Sequence, residues 1–466
     1  MIYKNKSKLI KHIEKSIKNQ KLNKNSEFRI DIGDSEKIQS SIIDFRFNFC
    51  EIIKGIKDLI DNETRYSLNC NKVIFNNEVY FRNIELKGCA DFSGAFFKKE
   101  VYFNSMSFND KIDFSDSIFE RDISFYNTYF NKEANFVSSI INGSLNFENP
   151  TFMSNATFAK SKVNKISINN IVKSDKNALF FNYISFNNSN SSIDIISNIN
   201  DNDLHINQLF LTDINIQGII SIKNVKANMV DFKGSIINGG LVNPVKFKVK
   251  EFANRESALF LKNEAYARNN VIDALEYKAK EVSKYKEELI YKTNKTCKDY
   301  LDIISIYLSS LYSNNGQNWG KSFLCTLIIP SLFFAISYIS YNISYFLYIL
   351  FLLFLFVKFQ CKDIIKYIYN SIFVYIVFCV FLPIFYLYGL NELLNINFLK
   401  ELLRFLTPTN FEAIININKN TESYIYQNNN MVGIIIKSFS YFLGKIAFWY
   451  GSVQTVQAFR KFSKWE

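Results

Sequence analysis

Histidine is nearly absent: His12 and His205 are the only two in 466 residues. Ser–His, Cys–His and His–metal chemistries need an imidazole beside a second functional group, so the scarcity argues against them from the outset. The seven cysteines (Cys50, Cys70, Cys89, Cys297, Cys325, Cys361, Cys379) are odd in number and include no CxxC pair. They point to reduced thiols in a cytosol or in lipid, not to a disulfide framework or a zinc site. No GxxxxGK[ST], GxGxxG or HExxH occurs, which removes the commonest phosphate, dinucleotide and zinc signatures. The opening MIYKNKSKLIKHIEKS lacks the apolar stretch of a signal peptide, so the soluble part is expected to stay inside the cell.

Charge is present but uneven. Of the net +12, eight lysines (Lys4, Lys6, Lys8, Lys11, Lys15, Lys18, Lys21, Lys24) fall in the first 24 residues, against Glu14 alone. The last 145 residues add about +5, and the stretch between is close to neutral. Basic ends on a membrane protein suit anionic lipid headgroups. Nucleic acid is disfavoured, because the middle of the chain offers no basic field.

What is abundant is phenylalanine, 47 residues, and much of it is periodic. Large apolar residues fall at Phe75, Phe81, Leu86, Phe92, Phe97, Phe103, Phe108, Phe114, Phe119, Phe125, Phe130, Phe136, Ile141, Phe147, Phe152, Phe158 and Val163, in steps that alternate between six and five. Neither a helix nor a single strand has that period. A four-sided coil does, with one inward centre per side and about 22 residues per turn. Four inward columns follow. The first holds Cys70, Phe92, Phe114, Phe136 and Phe158; the second holds Phe75, Phe97, Phe119, Ile141 and Val163. The third holds Phe81, Phe103, Phe125 and Phe147, and the fourth Leu86, Phe108, Phe130 and Phe152. Two residues before each centre the side chain also faces inward, and many of these are small: Ala90, Ala95, Ser117, Thr128, Ala134, Ser139, Ala156, Ser161. The third side instead reads Val79, Val101, Ile123, Leu145. The residue before each first-side centre is polar and outward: Asp91, Asp113, Asn135, Thr157.

A small residue, Asp or Asn, a large apolar centre, then Ser or Thr is the unit of the pentapeptide-repeat proteins, which this sequence resembles. ADFSG at 90–94 fits fully and ANFVS at 134–138 nearly so. The resemblance implies a right-handed quadrilateral parallel β-helix over 70–242, of roughly eight turns, with its repeats fading over 165–205. The Phe columns then read as core, not as a ligand box. Residues 1–26 form a basic N-terminal segment, 27–69 an N-terminal cap, and 250–315 a helical connector broken at Asn269-Asn270. The connector, with SLYSNNGQNWGKS and the terminal AFRKFSKW, is similar to the bacterial pentapeptide-repeat proteins that carry a C-terminal helical transmembrane domain.

Residues 322–357 contain no charge. A span needs about 20 apolar residues, so a transmembrane domain over 322–466 is expected, with spans near 323–339, 343–358, 371–390 and 431–452. Whether 322–357 is one span or two is open. Charge asymmetry orients a multi-pass protein of the bacterial inner membrane with its β-helix in the cytoplasm. Lys437 and Lys445 interrupt the last span as intramembrane polar residues. They suit snorkelling, an interfacial helix, or a polar seam at the axis of a homo-oligomer.

No catalytic constellation, cofactor site or metal site is expected. The favoured function is a membrane-anchored binding or scaffold protein that presents the β-helix to an unidentified cytosolic protein, with the bilayer as its other partner. The alternative is a gated pore or membrane effector with the β-helix as sensor. No TVGYG-like filter or voltage-sensor arginine row is found. DNA mimicry requires an acidic rod, yet 70–242 carries about 16 basic and 17 acidic groups.

Overall fold

Stacking a ring on its copy one coil away requires parallel strands in a constant register, and that register is the organising feature of the chain. The computed structural model describes residues 2–22, 28–32, 41–56, 66–172, 174–197, 204–338, 402–407 and 431–463. It divides into two compact units, Met1–Ala267 and Arg268–Glu466.

The first unit is a parallel β-solenoid. Its first face is a ten-stranded sheet; nine of those strands, from Tyr66–Asn69 to Lys248–Phe252, span about eight coils. Pairing advances by 22 residues through the regular part: Phe97 opposite Phe75 and Phe119, Phe103 opposite Phe81, Phe130 opposite Phe108 and Phe152. Ring centroids in the columns lie 4.8–5.4 Å apart, near the strand spacing of about 4.8 Å, with planes within 17° of parallel, from Phe92–Phe114–Phe136–Phe158 to Phe108–Phe130–Phe152. The opposite first and third columns meet edge to face across the interior, as Phe114 meets Phe103 and Phe136 meets Phe125, the arrangement that ring quadrupoles favour.

The third face departs from the rest in length. Its strands have four residues (Val79–Arg82, Val101–Asn104, Ile123–Tyr126) where most regular strands of the other faces have two. A four-residue strand directs two side chains inward, so Val79, Val101, Ile123 and Leu145 are buried beside the Phe column instead of being small. Past Val163 the coil also persists where the periodicity fades. Phe181 stacks on Phe158 at 5.0 Å after a 23-residue step, and Ile168, Ile195, Ile222 and Pro244 continue the third column. Aliphatic centres and inserted residues hide these coils from a search for phenylalanine.

Two corners repeat in a left-handed conformation. Lys72, Gly94, Asp116, Ser138 and Lys160 follow the first face; Asn83, Ser105, Asn127 and Asn149 follow the third. At the first corner the chain closes a β-turn, with Ala95 N donating to Phe92 O (3.0 Å) and Ser139 N to Phe136 O (3.2 Å). The polar residue before each centre stabilises that turn. Asp91 Oδ1 accepts from Ser93 N, Asp113 Oδ1 from Ser115 N, and Asn135 Oδ1 from Val137 N, at 2.8–3.0 Å. Small inward residues serve the backbone as well: Ser161 Oγ donates to Phe136 O and Thr128 Oγ1 to Phe103 O, both 2.7 Å.

The ladders run past residues 70 and 242, and both ends are covered. Ile2–Tyr3 already pairs with Ile42–Ile43, and Phe28–Asp31 with Tyr66–Asn69. Helix α1 (Lys6–Leu22), capped by Asn5, buries Leu9, Ile13 and Ile17. Most of the basic segment is therefore built into the cap: Lys6, Lys8, Lys11, Lys15 and Lys18 ride on the outer side of a helix whose apolar side is core. Gln20 binds both backbone groups of Arg29 at 2.7 Å, standing in for a neighbouring strand. After α2 (Phe49–Gly55) and the coils, α3 (Arg255–Ala267) closes the other end of the first face. Phe260 stacks on Phe232 at 4.9 Å, and Ser257 Oγ accepts from Phe232 N at 2.7 Å. Beside it the last strand of another sheet, Leu241–Val245, carries Pro244. Leu241 N donates inward and Val245 O accepts from Asn224, so the alternation places the N–H that Pro244 lacks on the open edge. Strand addition is discouraged there.

The second unit contains α4 (Val271–Tyr291), α5 (Cys297–Ser313), α6 (Trp319–Tyr338), a short helical segment at 402–406, and α7 (Met431–Ser463). Asn269 is left-handed and Asn270 caps α4 through Asp273 N. The expected spans near 343–358 and 371–390 lie outside the described residues.

Phe136→Ala should lower unfolding free energy by about 3–5 kcal/mol, because it opens a cavity among four ring contacts. Asn135→Ala, which loses one turn bond and one link to Asp113, should cost about 1 kcal/mol. Equal shifts in denaturant midpoint for the two variants would contradict the register.

Candidate functional surfaces

The interior of the solenoid is filled by the stacked columns, so its chemistry is on the outside. Burial also silences the interior thiol: desolvation pushes the Cys70 pKa well above the usual thiol range, leaving it unreactive. Among the described residues no group of three or more His, Cys, Asp or Glu side chains converges to hold a metal.

The most distinctive outer surface lies on the third face. Outward positions one coil apart bring Tyr80, buried beneath Arg46 and Arg82, onto the half-buried Tyr102, rings stacked at 4.9 Å. Arg46 lies 4.3 Å from the Tyr80 ring centroid and Arg82 lies 4.9 Å from it. Glu78 orders the group, accepting from Tyr80 OH at 2.8 Å and pairing with Arg46 Nε at 3.1 Å. Arg46, Asn48, Glu51, Tyr80 and Arg82 line an open cleft. Tyrosine and arginine concentrate binding energy at protein interfaces, since they offer large, preordered contact area with polar tips. Sequence reasoning did not single out these residues. The signal that marks them is the 22-residue spacing of Tyr80 and Tyr102 at an outward position.

The second surface belongs to the helical unit, and its polarity is reversed. Helices α6 and α7 meet through small and polar residues: Ser322 and Thr326 reach Thr455 at 3.0 and 3.2 Å, and Ser440 Oγ donates to Phe333 O at 2.8 Å. Gly444 and Gly451 permit this approach. A methyl group at Gly444 would collide with Phe405 and Phe333, and one at Gly451 with Thr326 and Tyr312. Outside, Ile435, Phe439, Phe442, Ile446, Trp449 and Val453 are exposed. Met431–Arg460, 30 residues, is long and apolar enough to cross a membrane; at 1.5 Å per residue it is about 45 Å long, against a hydrocarbon core of about 30 Å. Trp319–Phe334 is a shorter apolar helix.

Lys437 and Lys445 face inward within this unit, 5% and 1% exposed. Lys445 Nζ donates to Arg404 O (3.0 Å) and Thr407 O (2.6 Å), capping the end of the 402–406 helix, and lies 5.4 Å from the Phe405 ring. Lys437 Nζ has no hydrogen-bond partner among the described residues. The two lysines thus have separate environments.

Near the start of α5 an ion pair holds the chain. Asp299 accepts from Lys292 Nζ (2.8 Å) and Thr296 N (2.7 Å), completing a capping box. Lys292 first, then the Thr296 backbone, lowers the Asp299 pKa to about 2. A carboxyl depressed from its unfolded value near 3.9 stabilises fully above that value and loses its effect as pH falls through about 2. Hydrogen exchange over 296–300 should therefore accelerate, relative to the intrinsic rate, between about pH 4 and pH 2. Asp299→Asn should abolish that pH dependence; an unchanged profile would contradict the assignment.

Compared with known proteins, residues 81–128 match the family model for pentapeptide repeats (9 copies). No curated protein and no solved structure matches the chain.

Proposed function

We propose that this chain, a pentapeptide-repeat protein by its repeats and its coil, is a membrane-anchored scaffold that presents the solenoid to a cytosolic protein. The observation that carries the proposal is the opposite polarity of the two units. The solenoid has an apolar interior and a polar surface bearing the Tyr80–Tyr102 ladder; the helical unit buries serine, threonine and lysine beside Phe334, Phe405 and Tyr441 and exposes large apolar residues along α5 and α7. Lipid is the solvent that suits the second arrangement, because packing there relies on small residues and internal hydrogen bonds. The partner docks on the arginine–tyrosine face. The membrane is the bacterial inner membrane, crossed several times, with the solenoid in the cytoplasm.

Two measurements test this reading. Cysteines introduced one at a time in a cysteine-depleted background at Lys99 and Arg460 should label only after the inner membrane is opened, whereas one at Met431 should label in intact spheroplasts. Labelling of Lys99→Cys from outside would reject the orientation. Crosslinking in native membranes should capture a discrete protein, and Arg82→Ala or Tyr102→Ala should weaken that capture about tenfold, as loss of an interface anchor does. Undiminished capture by both variants would remove this face from the proposal.

A second reading, a gated pore with the solenoid as sensor, is favoured by the buried ammonium of Lys437, which has no hydrogen-bond partner among the described residues. It requires that purified protein conduct in planar bilayers and that Lys437→Leu change the ion selectivity. Absence of current would reject it.

A further inference from the structure

Helix α5 is inside out. At helical spacing, Tyr300, Leu301, Ile304, Tyr307, Leu308 and Leu311 share one face, and Leu301 and Ile304 are 65% and 54% exposed. The opposite face holds Asp299, Asp302, Ser309 and Ser313. Asp302 accepts from Tyr285 OH at 3.2 Å on α4, and Ser309 and Ser313 reach Gln454 Oε1 at 3.3 and 2.9 Å on α7. The polar side is therefore turned to protein and the apolar side is open, save that Lys286 Nζ of α4 lies 4.5 Å from the Tyr307 ring centroid, over a residue that is still half exposed. Lys298, in the first turn, is the one charged side chain exposed along α5.

Three observations indicate what covers that face. The helix is fixed to α7 at Gln454, six residues before Arg460, and six residues of helix span about 9 Å. That depth lies within the 5–10 Å to which an interfacial helix buries its apolar side. Trp319, which opens α6, packs on Phe459 at 4.8 Å, so the charged end of α7 and the aromatic start of α6 lie at one level. Two tyrosines, Tyr300 and Tyr307, stand on the exposed face among leucine and isoleucine, and tyrosine and tryptophan concentrate at the headgroup boundary.

We infer that α5 is an interfacial helix: it lies in the headgroup region of the bilayer with Tyr300, Leu301, Ile304, Tyr307 and Leu308 in the acyl boundary and Lys298 among anionic headgroups. This rests on the membrane reading of α7. It adds a lipid contact outside the spanning helices, at the point where the chain from the solenoid reaches the membrane domain.

The test uses the full-length protein in vesicles of phosphatidylcholine with and without phosphatidylglycerol. An environment-sensitive fluorophore is attached singly at Ile304→Cys on α5, or at Trp449→Cys on the outer side of α7. Nitroxide lipids labelled near the headgroup should quench the Ile304 probe more than chain-labelled ones, and the Trp449 probe should show the reverse preference. Phosphatidylglycerol should deepen the shallow quenching at Ile304, and Lys298→Gln should remove that gain. An Ile304 probe open to aqueous iodide while the Trp449 probe is lipid-quenched would overturn the inference and leave the membrane reading standing. An Ile304 probe shielded from iodide and from lipid nitroxides alike would also overturn it, assigning the face to a second copy of the chain. Failure of lipid to quench either probe would reject the membrane reading itself.

Discussion

The regular part of the solenoid, from Cys70 to Val163, depends on the constancy of its 22-residue step. Parallel strands place each residue beside its equivalent one coil away, so a single repeated length superposes phenylalanine on phenylalanine in four columns. Shifting one coil by a residue would exchange inward and outward side chains on that coil. The cost would be the ring stack on both sides of the slip, together with the polar ladder on the surface, where Asn135 Nδ2 donates to Asp113 Oδ1 at 3.1 Å. Register is thus determined twice, by apolar fit inside and by hydrogen bonding outside.

The corners supply the other half of that constraint. A left-handed residue is costly for any side chain but glycine, roughly 1–2 kcal/mol, yet Lys72, Asp116, Ser138 and Lys160 all adopt that conformation. All four are held by the turn bond between the inward centre and the residue three later, and at Lys72, Asp116 and Ser138 an Asn or Asp also accepts from the turn N–H. The Asp or Asn of the repeat is therefore a turn residue as much as a surface one. Chain ends, where no next coil exists, are closed by substitutes of the same geometry: the Gln20 amide at one end, and Ser257 with Phe260 at the other.

The helical unit inverts these rules. Its contacts run through Gly444, Gly451, Ser440 and Thr455, and its large apolar residues face outward on both α5 and α7. Lys445 is accommodated by carbonyls at the end of a short helix, which explains how a charge can be carried on an apolar helix without standing on its exposed apolar side.

The solenoid could be read from the sequence because its interior contacts join residues a fixed number of positions apart: Phe92, Phe114 and Phe136 announce their column by spacing alone. The apolar stretch 431–452 was a weaker signal, interrupted by Lys437 and Lys445, and helix α7 continues beyond it to Ser463. What spacing could not supply are contacts between segments unrelated by the repeat. Phe181 follows Phe158 only because an insertion is absorbed in a loop, and Arg46 reaches Tyr80 because the cap strand Phe47–Asn48 pairs with the third face. Whether the α1 lysines form a tail or ride on a cap was undecided by charge, since charge says nothing of where Leu9, Ile13 and Ile17 are buried. The environments of Lys437 and Lys445 were likewise beyond reach, because eight residues along one helix fix a shared face but not the carbonyls that another segment brings to it. Periodicity determined the coil; the tertiary structure decided its caps, its outer cleft and the inverted helix, each of which depends on which distant segment fills the space beside it.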